Sequence, residues 1–168
     1  MDKKTLTREE ILDICGKAAH EAQLRDDVCS RSTLIGLSQY FDIPDEFIRA
    51  SLSLCGGAGA SSGSCGTYTA GLLAVGLKYN VPLADELANP ELQGVGASKF
   101  MAFRDYFIEK MGHTMCTALQ KQTFGKSYLF TKPEACAEYF SLEGRIEKVA
   151  DLVEKATRTI AEFLLDND

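Results

Sequence analysis

Six cysteines, Cys15, Cys29, Cys55, Cys65, Cys116 and Cys136, carry most of the reactive chemistry open to a chain with only two histidines. A thiolate can attack a disulfide, hold a soft metal, or cycle between dithiol and disulfide. Familiar local patterns are absent. No C-x-x-C occurs, hence no thioredoxin pair and no zinc ribbon, and no C-x-x-C-H, hence no haem attached by the usual route. His113 and Cys116, three residues apart across a turn, could share a metal, a weak pattern taken alone. Any site built from these thiols must therefore gather them from distant parts of the chain.

Two of the six bracket a glycine–serine loop, Cys55 at its mouth and Cys65 at its exit. Cys65 runs into Gly66-Thr67-Tyr68-Thr69-Ala70-Gly71-Leu72-Leu73-Ala74-Val75-Gly76-Leu77, a small and apolar stretch. Glycine inside a helix costs roughly 1 kcal/mol relative to alanine. So dense a run makes sense only if other backbones approach this helix closely in the centre of the domain. Cys65 then falls at its first turn, where unpaired N–H groups and the helix dipole favour a thiolate. The loop glycines Gly57, Gly59 and Gly66 could turn their N–H groups toward an anion or cluster. A dinucleotide fingerprint is not met: the glycine spacing is one residue too long, and a helix precedes the loop where a strand is required. No nicotinamide nucleotide is expected.

The elements that must position these groups read as helices throughout. Thr7 and Glu10 form a capping box, followed by Ile11, Ile14, Cys15, Ala18, Ala19 and Ala22 at helical spacing. Cys15 lies in that apolar stripe and reads as a small buried hydrophobe, with His20 at its edge. A second helix is predicted from about Cys29 to Tyr40, and a third carries Phe47 to Leu54 after Pro44. Asn80 to Ala97 reads as a long loop with a helical turn at Leu83 to Leu87. Ser98 to Met111 resumes a helix whose aromatic side, Phe100, Phe103, Tyr106 and Phe107, suits a core or a dimer contact. A short helix follows Cys116, a second capping box is read at Thr131 to Glu134 ahead of Cys136, and the last helix spans about Arg145 to Leu165. No run alternates as strands do. The expectation is an all-α fold: residues 1–168 form one helical bundle, with an N-terminal helix in 1–25.

Composition narrows the function classes. The 168 residues are 45% hydrophobic and 25% charged, ordinary for a globular domain, and the formal charge of −6 argues against a nucleic-acid binder. No stretch approaches the roughly 20 apolar residues of a membrane-spanning helix. The start, MDKKTLTREEILDICG, lacks a signal-peptide core, so a cytoplasmic protein is expected, and cysteines there serve more often as thiols or ligands than as structural disulfides.

Cys29, Cys65 and Cys116 each fall near a predicted helix start or break, which points to convergence in space. From Asp26 to Leu165 the chain also resembles the C_GCAxxG_C_C (CGAxxG-motif) family, intracellular helical proteins with a proposed redox role. Cys29 ahead of an apolar helix resembles the family's first cysteine, Cys65-Gly66 leading into Ala70 to Tyr79 resembles the motif helix, and Cys116-Thr117-Ala118-Leu119 resembles the third cysteine. The motif here reads CGTYTA, with Thr67 and Ala70 where the family has Ala and Gly, and the family's fourth cysteine falls near Val149. Cys136 or Cys55 would take that place. The resemblance implies a redox protein with Cys65 as reactive thiolate and Cys29 and Cys116 as partners. Cys29, Cys65, Cys116 and Cys136 would be the ligands if an iron–sulfur cluster or other thiolate-bound metal is held. The alternatives are an anion-binding accessory protein using the glycine loop, and a structural helical homodimer with inert cysteines.

Overall fold

The computed structural model describes residues 5–167, and among them every regular element is helical. Helix α1, Arg8–Asp26, opens on the expected capping box: the Thr7 hydroxyl accepts from the Glu10 N–H, and the Glu10 carboxylate accepts from the Thr7 N–H at 2.8 Å. It ends at Asp27 in a left-handed conformation (φ 52°), which turns the chain into α2, Cys29–Ser38. A short α3, Asp45–Ala50, continues as a single 3-10 turn to Leu54. The glycine loop then leads into α4, Gly66–Tyr79.

Helices α5, Leu83–Ala88, and α6, Gln93–Met111, fill most of the stretch expected to be a loop. Helix α6 starts well before Ser98, and its early glycines had hidden that start. Gly96 is there for space: a Cβ would lie 2.2 Å from Asn80 Oδ1. Next come α7, Cys116–Phe124, α8, Pro133–Phe140, and α9, Arg145–Asp166. Helix α8 has Lys132 at its cap with no side-chain bond, so the capping box expected at Thr131 to Glu134 does not form, although Pro133 does take the first helical position.

The core sits where α1, α2, α4, α6 and α9 meet. Helix α9 supplies Val153, Ala156, Ile160, Phe163 and Leu164, all buried. The small residues of α4 act as expected: a Cβ on Gly71 would come within 2.5 Å of Phe103 Cζ, so the ring seats only because that position is bare. Phe103 and Phe107 are fully buried, and burying a side chain of this size contributes about 2 kcal/mol. The aromatic side of α6 thus divides: Phe103, Phe107 and Met111 face the core, while Phe100, Met101 and Ile108 face outward. Cys15 is fully buried in this core, and burial alone pushes its thiol up to about 12. Among the described residues, no helix is long and apolar enough to cross a membrane.

One short tie lies outside the helices. Ser64 and Met115 form an isolated antiparallel bridge: the Cys65 N–H donates to Thr114 O (2.7 Å) and the Cys116 N–H to Gly63 O (2.8 Å). The chain before α4 is thereby laced to the chain before α7. Two cysteines far apart in sequence begin their helices side by side.

Candidate functional site

A cavity of about 170 Å³ lies under α8, and Cys29, Cys55, Cys65, Cys116 and Cys136 all line it. Only Cys15 stands apart. Each of the five arrives from a different piece of backbone: the first residue of α2, the end of the 3-10 turn, the cap of α4, the first residue of α7, and α8. All five are free thiols.

The loop that delivers Cys55 and Cys65 is wound the unusual way. Gly56, Gly57, Ala58, Gly59 and Ala60 follow one another at φ between 55° and 81°, and Ser62 joins them at 62°. Left-handed backbone costs roughly 1–2 kcal/mol for each residue bearing a Cβ, so Ala58, Ala60 and Ser62 are held there by their surroundings. Gly57 has no alternative, since a Cβ would lie 2.4 Å from Gly63 N. The N–H groups of residues 58–63 all bond to carbonyls within the loop and the preceding turn. Gly56 is different: its backbone lies by Cys29 and opposes the rise of that thiol. The anion nest expected around Gly57 and Gly59 therefore has its N–H groups from residue 58 onward already engaged. Gly66 serves through its bareness, because a Cβ would come within 2.4 Å of Cys29 Sγ.

Cys29 and Cys65 are neighbours: both line the cavity, and Cys29 Sγ lies against Gly66, the residue after Cys65. The Thr67 hydroxyl stands 3.2 Å from Cys65 Sγ. The influence of Cys29 first, then that of the Thr67 hydroxyl and of the backbone at Thr67 and Tyr68, lowers the Cys65 thiol to about 6 against the cost of burial. Cys29 moves the other way. The influence of Cys65 first, then its own burial, holds its proton well above the ordinary range. The two thiols are thus driven apart, Cys65 toward the thiolate and Cys29 toward the protonated form. Burial pushes Cys116 up to about 12, aided by the Cys65 charge and opposed by Gln120 Nε2 at 3.6 Å.

Opposite the sulfurs stands a wall that the sequence reading did not single out. Tyr139 packs on Phe124 and Phe130 with ring centroids 5.7 and 5.0 Å away, and Phe140 closes the outer side. The Arg145 guanidinium sits 5.1 Å from the Tyr139 ring and 4.8 Å from the Phe140 ring. It is fixed by a two-pronged bond to Asp27 at 2.6 and 3.0 Å. The Phe130 N–H donates to Ser62 Oγ at 2.8 Å, which clamps this wall to the left-handed loop. A sequence signal existed in the density of aromatics between Phe124 and Phe140, but nothing local tied it to Cys65. Val149 also lines the cavity.

Among the described residues, no three Cys, His, Asp or Glu side chains converge on a point where one ion could be held. Cys29, Cys65, Cys116 and Cys136 share a cavity, and His113 does not line it. What the arrangement can do directly is nucleophilic: Cys65, its thiol lowered, stands beside Cys29 on the wall of an apolar chamber.

Residues 28–156 match the family model described as "Putative redox-active protein (C_GCAxxG_C_C)". No curated protein and no solved structure matches.

Proposed function

We propose, from the premise that this chain belongs to the C_GCAxxG_C_C family of redox-active proteins, that it works by thiol–disulfide exchange with Cys65 as nucleophile and Cys29 as resolving thiol. The arrangement that carries this reading is the placement of Cys29 and Cys65 together on the chamber wall, where their mutual influence lowers the Cys65 thiol and raises that of Cys29. A nucleophile in exchange is most effective when its pKa lies near the ambient pH. Cys65, lowered to about 6, is ionised at neutrality without being far below it.

The step balances with no further reagent. The Cys65 thiolate attacks one sulfur of a disulfide; a Cys65–sulfur bond forms, the partner's S–S bond breaks, and one thiolate leaves. Cys29 then attacks Cys65 Sγ, forming the Cys29–Cys65 disulfide and expelling the second half of the partner. The Cys29 proton goes to one of the released thiolates. One disulfide is reduced to one thiol and one thiolate, and two cysteines are oxidised to one cystine. Reduction by an external dithiol returns the starting state. This reading derives no step through an iron–sulfur cluster or soft metal.

The experiment is oxidation of the reduced protein with a small disulfide, followed by peptide mapping and metal analysis of anaerobically purified protein. A Cys29–Cys65 link is expected, and Cys65→Ser should abolish fast alkylation near neutrality while leaving helical content intact. Six unpaired thiols after oxidation, with Cys65 alkylation rising only near pH 8.5, would refute it.

A further inference from the structure

The size of the chamber decides what can oxidise Cys65. Cys65 is only 4% exposed and lines the cavity, so an oxidant reaches it by entering that space. The space is about 170 Å³. Pockets for drug-sized ligands run from about 300 to 1,000 Å³, whereas an apolar cavity of about 150 Å³ takes up benzene. A peptide disulfide is too large for such a chamber. Leu119, Phe124, Phe130, Val149 and Leu152 make its wall apolar. The guanidinium on that wall, Arg145, is already held by the Asp27 carboxylate at 2.6 and 3.0 Å. An anionic oxidant would therefore lose its hydration without gaining a free cation, and it would face the charge on Cys65.

From this we infer a second activity for the same pair: the chamber admits a small, uncharged alkyl hydroperoxide, no larger than benzene, and Cys65 reduces it to the alcohol. The inference rests on the pairing of Cys65 with Cys29 in the exchange reading and adds a further class of substrate. The Cys65 thiolate attacks the terminal peroxide oxygen; an S–O bond forms, the O–O bond breaks, and the alkoxide leaves. The alkoxide takes the Cys29 proton and becomes the alcohol, which leaves Cys65 as a sulfenic acid and Cys29 as a thiolate. Cys29 then attacks Cys65 Sγ, forming the disulfide and expelling hydroxide, the condensation expected of a sulfenic acid beside a thiol. The hydroperoxide gains two electrons and the two cysteines lose them; an external dithiol restores the pair. Confinement suits this chemistry. The first step adds a single oxygen atom to Cys65, so Cys29, whose Sγ lies against Gly66, keeps its approach.

The test uses the reduced full chain and three probes: hydrogen peroxide, tert-butyl hydroperoxide, which is the size of benzene, and the bulkier cumene hydroperoxide. The rate of Cys29–Cys65 disulfide formation, read by peptide mapping, is divided by each probe's rate with glutathione at the same pH, which removes intrinsic reactivity. The normalised rate should peak at tert-butyl hydroperoxide. It should exceed hydrogen peroxide at least about tenfold, because its methyl groups leave water, and cumene hydroperoxide by about tenfold, the scale on which overfilling a cavity is penalised. Phe140 closes the outer side and is 56% exposed, so Phe140→Ala spares the core and should narrow the gap between the two alkyl probes. Equal normalised rates for the three probes in wild-type protein would overturn the inference without needing any variant to fold. Dimethyl disulfide, small enough for the chamber, tests the exchange reading separately. If it links Cys29 to Cys65 while the hydroperoxides react no faster than with glutathione, the second activity fails and the exchange reading stands. If no probe yields that disulfide, both fall.

Discussion

Replacing Cys29 isolates the interaction on which the chemistry depends. Cys29→Ala removes the foremost influence lowering the Cys65 thiol and leaves the Thr67 hydroxyl and the backbone at Thr67 and Tyr68 in place. A hydrogen bond to a charged group contributes about 1.5–3 kcal/mol, and one pKa unit corresponds to 1.36 kcal/mol. The Cys65 midpoint should therefore climb from about 6 by roughly one to two units, still below a free thiol. Near pH 7 the thiolate fraction would drop from about nine-tenths to between about a half and a tenth, and the alkylation rate with it, roughly two- to tenfold. Cys29→Ser restores a donor of similar placement and should bring the midpoint most of the way back. The assay is the iodoacetamide rate from pH 5 to 10, read by mass spectrometry on the peptide containing Cys65. A Cys29→Ala midpoint unchanged from wild type, or a serine variant shifted as far as the alanine one, would refute the reasoning.

Two further outcomes are expected. Gly66→Ala places a Cβ within 2.4 Å of Cys29 Sγ and 3.0 Å of Ser30 N; it should push the thiol off Cys65, raise the Cys65 midpoint, and cost about 1–3 kcal/mol of stability as overpacking does, seen as a lower urea midpoint. Stability under reducing conditions should also be bell-shaped in pH. Between about 6 and 9 the folded chain has released the Cys65 proton that the unfolded chain still holds, so stability rises with pH. Above about 9 the unfolded chain loses protons that Cys29, Cys116 and Cys15 retain when folded, so stability falls. Urea midpoints at three pH values, compared with Cys65→Ser, check the rising limb, which that variant should lose.

Much of the helical frame was legible in single residues. The Thr7–Glu10 box and the apolar stripe of α9 are local signals that the tertiary structure merely uses. Where the reading slipped, a tertiary contact had overruled a local preference: Gly94 and Gly96 argue against a helix, yet α6 runs through them, and Gly96 is bare because Asn80 lies against it. The placement of Cys65 at a helix start could be read from the sequence, whereas the opposed shifts of Cys65 and Cys29 could not. Nothing in sequence announces that Ala58, Ala60 and Ser62 adopt left-handed backbone beside the glycines, or that the aromatics of α7 and α8 close over the sulfurs.

The lacing of Ser64 to Met115 also changes how the chain between them can vary. Residues 65–116 leave one point and return to it, so they form an excursion whose two feet are pinned by backbone bonds at the site of chemistry. Closure entropy grows only slowly with loop length. Insertions or deletions around α5, where Leu83 and Leu87 are exposed, can lengthen or shorten the excursion while its feet stay in register. Cys65 and Cys116 sit on those feet, not on the part free to drift. Relatives of this chain can thus differ widely in the middle third and keep the same arrangement of sulfurs.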